Sequence, residues 1–514
     1  MPSRMLRGFI FSLAGAISGL VLACTQGAVA ETPERGGTLT VGFASDIKTL
    51  DPIFSIEYTE RQVLYLIFDT LVRLDTDFSV RPELAKSWDV EAGGTRVVLH
   101  LREGVKFQDG TPFDAAAVKW NIDRRLDPAV KSPQRNGLES VVKSVEAVDP
   151  LTVAFTLKQP FPGLLGMLGQ REGFMVSPAA SQKQGADFGS NPVGTGAFLF
   201  KEWVRGNHIT VERNPDYWDK GKPYLDRIVF QDVAGSVLGA QRLITGEVDF
   251  VSELSPQDVR QLEGRGDIRL DPDPVGRWIS LQWQVDKPPF NSLALRQAVA
   301  HAIDRKRLVD ILMGGKAQIA EGPTPKGLWW FDPDLTSYDY DPAKAKKLLS
   351  DAGYANGLDV TLAAPTITMF QQLDQLVQEQ LKAVGINATL EPVAVSDWYS
   401  RVVEQKINFT PERWSQRPDP DGLFYILFHS KGYANSTNYR NPALDALLDQ
   451  ARSLVETDAR KPLYKQAQAI VTRDLPYVPL FFSLEYAALR SSVKGFVWIP
   501  DEIPRFRDVW KTKS

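Results

Sequence analysis

Short strand-like runs alternate with capped helical segments along almost the whole chain, and this alternation restricts the fold more than any other feature of the sequence. Val97–Leu101, Val153–Leu157 and Ile228–Phe230 are runs of β-branched and aromatic residues bounded by Gly, Pro and Asp. Between them lie segments with helix-starting devices. Asp341-Pro342 places an N-cap Asp before a Pro suited to the first helical position, and Gly353 ends the run. Asn441-Pro442 repeats the device, with Leu444, Leu447, Leu448 and Ala451 on one apolar face. From Leu295, the positions Ala298, Val299, Ala302 and Ile303 continue a helical stripe, with Lys306 and Arg307 off it. The pattern predicts an α/β protein with mixed sheets and many covering helices. The 514 residues are enough for about three domain-sized units. No fixed-period repeat or low-complexity linker divides them. The Pro- and Gly-rich stretch Asp271–Gly276 reads as a crossover between lobes.

The N-terminus reads as an export leader. Arg4 and Arg7 precede an apolar run from Gly8 to Ala23 that is short for a membrane span. Ala28-Val29-Ala30 offers a cleavage site, so residues 1–30 are the expected signal peptide. Val21-Leu22-Ala23-Cys24 is a competing lipid-anchoring motif, weakened by the bulk of Leu22, so soluble export fits better. Cys24 is the single cysteine, and a chain of this size builds its core without disulfides. The net charge of −4 and the lack of a basic stripe argue against nucleic-acid binding.

Enzymatic signatures are missing. There is no nucleophile elbow, zinc-protease helix, phosphate loop or dinucleotide fingerprint. Pro192–Gly196 lacks the Lys-Ser/Thr that a phosphate loop needs and reads as a tight turn. His100, His208, His301 and His429 have no metal-ligand spacing, so neither a metal nor a cofactor is expected. A hydrolase is kept as the alternative of a different class.

Four ordered stretches carry a family resemblance. They are Leu101–Phe113; Pro192–Gly196 with Trp203, Gly206 and Arg213–Trp218; Pro288–Phe290 with Leu295–Ala298 and Ala302–Asp304; and Trp414–Pro420 with Asn441-Pro442. Together they resemble the extracytoplasmic solute-binding proteins of family 5, the peptide, nickel and opine receptors of ATP-driven importers. From its residues alone, Gly104–Phe107 with Asp109-Gly110 is expected to be a strand turning into a loop, and Asp216–Trp218 a packing plug.

The resemblance implies a two-lobe periplasmic-binding-protein fold of type II with a hinge. Lobe I would span residues 31–275 with an extra subdomain at 86–190, lobe II residues 276–482, and residues 483–514 would return to lobe I. It implies a monomer that captures a peptide or peptide-like solute between closing lobes and passes it to permease and ATPase subunits. Peptide-binding members resemble one another in a Trp-x-x-Asp stretch whose Asp meets the ligand amine. Here that stretch is Trp414-Ser415-Gln416-Arg417, with Arg in the amine-anchoring place. Either Arg417 grips an acidic group on the ligand, or it pairs internally with Asp419 or Asp421 and orders the loop. Asp419 or Asp421 is also a second place for an amine. The expected ligand-binding residues are Arg417, Trp414, Asp419, Trp283, Tyr58 and Gln284, with Gln282 and Thr366 as polar neighbours. A receptor for an anionic non-peptide solute, such as an opine, sugar phosphate or organic acid, is the alternative within the class.

Overall fold

The computed structural model describes residues 32–512 apart from 44–46, 56, 134, 234 and 455. The leader, Cys24 and the cleavage site therefore lie outside the described residues. No helix among the described residues is long and apolar enough to cross a membrane.

Two main sheets define two lobes. The first has seven strands in the order Ile268–Pro272, Tyr486–Arg490, Phe250–Val251, Thr38–Phe43, Arg227–Asp232, His208–Arg213 and Phe198–Val204. Thr38–Phe43 runs parallel to both of its neighbours, and the other pairings are antiparallel. Its buried face packs Leu39, Val41, Phe230 and Phe250 against Phe496, Phe506 and the helix Tyr58–Ile67. The second sheet is antiparallel, in the order Ala317–Ile319, Tyr477–Ser483, Arg277–Trp283 and Phe409–Trp414. Beside it, parallel strands Leu358–Pro365 and Ile386–Val393 are joined through the helix Thr368–Val384, the usual means of connecting parallel neighbours.

The chain passes between the sheets twice. It leaves the first at Pro272 and joins the second at Arg277, then leaves at Ser483 and returns at Tyr486. The two crossovers lie side by side: Asp273 N–H donates to Glu485 C=O at 2.8 Å. The Asp273 carboxylate accepts from the backbone of Val275 and Gly276, folding the first crossover into a turn. Gly276 has φ of +63°, and a Cβ there would lie 2.7 Å from Ser483 C=O, so the close passage requires glycine.

A third, four-stranded antiparallel sheet, in the order Ala85–Glu91, Arg96–Leu101, Thr152–Leu157 and Val142–Asp149, projects from the first lobe. The helix Ala115–Leu126 covers it, capped by Asp114 accepting from Ala117 N–H. The family stretches act as fasteners around it. Gln108 reaches across to Ile67, Gly196 and Phe198 carbonyls and accepts from Gly194 N–H. A Cβ on Gly194 or Gly196 would fall 2.2 and 2.4 Å from helix carbonyls, so these glycines allow close backbone approach rather than forming a phosphate loop. Tyr217 and Trp218 both donate to the buried Asp69 carboxylate, at 2.9 and 2.8 Å.

The capped helices form at Pro342–Asp351 and Pro442–Ser453, with Asp341 and Asn441 accepting from the first-turn N–H groups. Two local expectations need correction. The stripe from Leu295 is not one helix: Leu293–Ala302 stops at Ile303, which adopts extended geometry, and Asp304 caps a new helix, Arg305–Met313. Gly104–Phe107 forms no regular strand, only a bridge between Lys106 and Pro112.

Candidate functional site

A cleft of about 1040 Å³ opens between the lobes, roomy by the standard of small-ligand sites. Lobe I contributes Tyr58 and Arg61, one turn apart on a helix started by the reciprocal Glu57–Glu60 capping box. Glu253 stands just beyond the carboxyl end of Phe250–Val251, one of the parallel strands. Ligands in open α/β sheets favour this end. Lobe II contributes Arg413 and Trp414 from its edge strand, and Arg417 and Asp419 from the turn before the helix Asp421–Phe428. The projecting subdomain and its connection supply Phe161, Arg171 and Glu172. The walls approach closely: a Cβ on Gly166 would meet Pro418 at 2.9 Å, and Arg452 lies 5.7 Å from the centre of the Phe161 ring.

Charge is unevenly matched across this cleft. Arg460 holds Asp419 through two hydrogen bonds of 2.7 and 2.6 Å, and Arg452 holds Asp421 through two of 2.8 and 2.7 Å. Arg505 likewise holds Asp501 at 2.7 Å through each terminal nitrogen. Arg417 makes no hydrogen bond or ion pair with Asp419 or Asp421 among the described residues; each acid is held by another arginine. Among the described residues, Arg61, Arg171, Arg413 and Arg417 line the cleft without any side-chain hydrogen bond or ion pair. Burial and the neighbouring Arg171 hold Arg61 below the usual guanidinium range; burial and Arg277 do the same to Arg413. Such sites favour an incoming anion, since guanidinium bonds carboxylates in pairs.

At the hinge end the balance reverses. Arg277 reaches Glu502 at 2.7 Å and Glu485 at 2.9 Å, while Glu253 faces the cleft with no partner among the described residues. Burial, followed by Glu485 and Glu502, pushes the Glu253 carboxyl up.

Of the expected site residues, Arg417, Trp414, Asp419 and Tyr58 line the cleft. Trp283 and Gln284 do not. Trp283 stacks on Phe290 with centroids 5.0 Å apart and donates to Leu475 C=O, inside the lobe II core. Gln284 is buried against Ile407 C=O, and Gln282 against Glu412 and Ser436. Thr366 also lies away from the cleft. Arg61, Arg171, Arg413, Glu253 and Glu502 line the cleft as well, outside the residues expected from the sequence. Arg61 follows Tyr58 at helical spacing and Arg413 directly precedes Trp414, so both carried a local signal; the others did not.

Residues 79–435 match the model of the bacterial extracellular solute-binding proteins, family 5 middle region. The chain belongs to this family of solute-binding receptors. The glutathione-binding protein GsiB of Escherichia coli strain K12 is 33% identical over 505 residues, covering 96% of this chain and 98% of that one. The periplasmic binding protein DppA of Helicobacter pylori, solved with the peptide STSA, is 28% identical with a TM-score of 0.77, covering 93% and 99%. AgaA of A. tumefaciens R10, solved with agropinic acid, is also 28% identical, with a TM-score of 0.74 and the same coverage. The family's members are two-lobe binding proteins, and the two sheets, paired crossovers and intervening cleft described above have that architecture.

Proposed function

We propose that this chain is the receptor of an ATP-driven importer for a small peptide-like solute carrying more than one carboxylate, with glutathione as the first candidate. It works outside the cytoplasmic membrane as a monomer, exported by residues 1–30. It changes no covalent bond in its cargo. The observation that carries this reading is the set of four unpaired guanidiniums, Arg61, Arg171, Arg413 and Arg417, presented by both lobes. A ligand that bridges them favours the closed arrangement over the open one by its differential contacts. The similarity to a glutathione-binding protein along nearly the whole chain agrees with a dicarboxylate cargo.

The test is calorimetry of the purified mature protein with glutathione, its dimethyl ester and neutral tripeptides. Glutathione should bind at one site per chain with micromolar or tighter affinity, corresponding to about −8 kcal/mol or more favourable. The ester and the neutral peptides should bind at least tenfold more weakly. Equal binding of the neutral peptides would overturn the reading, as would recovery of cleaved glutathione by mass spectrometry. Preference for opine acids over every peptide would instead favour an anionic non-peptide cargo, which the likeness to AgaA keeps in view.

A further inference from the structure

The hinge end of the cleft brings both signs of charge to one place. Glu253 and Glu502 line the cleft together with Tyr58 and Arg277, and Arg413 lines it from lobe II. The electrostatic neighbours of Arg413 include Glu485 and Glu502, and those of Glu253 include the same two acids and Arg277. Glu485 and one oxygen of Glu502 are taken by Arg277. The other oxygen, Glu502 Oε1, is buried without a hydrogen-bond partner, in a residue only 4% exposed. A buried carboxylate oxygen normally has a partner, so Glu502 Oε1 is an acceptor available to a donor brought into the cleft. Both Glu253 and Glu502 hold left-handed backbone angles, with φ of +56° and +67°. Non-glycine residues seldom adopt this geometry without support from their surroundings.

One acceptor oxygen without a donor, and a carboxylate and a guanidinium that make no side-chain hydrogen bond or ion pair among the described residues, complement an ammonium and a carboxylate carried close together. An ordinary peptide separates these groups at its two ends. A γ-linked glutamyl residue, in contrast, carries both on one carbon. Resting on the peptide-like reading above, we infer that this end of the cleft is a head-group site for a free α-amino acid moiety. Glu253 and Glu502 accept from its ammonium, and Arg413 donates to its carboxylate. Arg61, Arg171 and Arg417 are left for the distant carboxylate. The amine is thus met from lobe I.

The experiment compares three probes by calorimetry on the intact mature protein: glutathione, its α-linked isomer Glu-Cys-Gly, and N-acetylglutathione. Wild type should prefer glutathione at least tenfold over each of the others. Glu253→Gln should weaken glutathione binding at least tenfold and bring the three probes within about threefold, with Tm unchanged. Equal binding of the two isomers by wild type, or retention of the full preference by Glu253→Gln, would overturn the head-group site alone. Failure of all three probes to bind would overturn the peptide-like reading and this inference with it. The isomer comparison on wild type needs no variant to fold.

Discussion

Asp419 accepts from both terminal nitrogens of Arg460, at 2.7 and 2.6 Å, in a two-bond pair at the wall of the cleft. Two residues earlier in the chain, Arg417 has no such partner. The turn Trp414–Pro420 therefore separates a structural ion pair from an exposed cation within one short segment, and substitutions on the two sides should have opposite signatures.

Asp419→Ala removes the partner of a guanidinium whose side chain is 3% exposed. Leaving such a charge unpaired costs about 3–5 kcal/mol. Urea unfolding should show a loss on this scale, and a change below about 0.5 kcal/mol would show that Arg460 finds another acceptor.

Arg417→Ala should behave in the opposite way. The exposed side chain makes no internal hydrogen bond, so unfolding free energy should stay within about 0.5 kcal/mol of wild type. Affinity for glutathione should fall by about tenfold or more, the worth of a charged hydrogen bond. Unchanged affinity in calorimetry would remove Arg417 from the binding surface.

Trp283→Ala separates core from site. The indole is 1% exposed and packs against Phe290 and Phe409, so its loss should cost about 3–5 kcal/mol. Because Trp283 does not line the cleft, the Kd of the folded fraction should remain within about twofold of wild type. A selective loss of affinity with normal stability would contradict this placement.

Stability should decline as the medium becomes more alkaline. Burial pushes the Glu412 carboxyl up to about 8 and the Asp374 carboxyl up to about 8. The unfolded chain releases these protons near 4, so between about pH 4 and 8 the native state holds more protons than the unfolded state. That contribution is fully present below the unfolded pKa and is lost as pH rises through 8. Thermal melts should show Tm falling over this window, and Glu412→Gln should flatten part of the fall. An identical slope in the variant would show that Glu412 titrates normally.

Elements declared by local chemistry were legible from the sequence: the caps at Asp341 and Asn441, and the strand cores at Val97, Val153 and Ile228. The helix break was also written locally, in the N-cap Asp304, but the apolar period continuing through Ile303 concealed it. Trp283 was misplaced for a deeper reason. Its strand, Arg277–Trp283, is buried on both faces, so no alternation tells which side chains meet the cleft and which meet the core. The cleft cations lie on a helix, a short turn, an edge strand and a loop. Their convergence is a property of the assembled lobes, and no spacing in the sequence encodes it. Arg417 was found only because a motif marked its position.

The paired crossovers have a consequence for engineering. Arg277 and Ser483, where the chain passes into and out of lobe II, are cross-strand neighbours in a single sheet. Lobe II is therefore a topologically closed insert: its two chain ends already sit next to each other, and the core around Ile279, Leu281 and Phe481 lies wholly inside it, while the cluster around Trp278 and Phe482 is shared with Leu74, Phe78 and Ile499 of lobe I. A reporter protein spliced into this seam would sit between two strand ends that are already neighbours, at the place where both chain passages between the lobes can be read together.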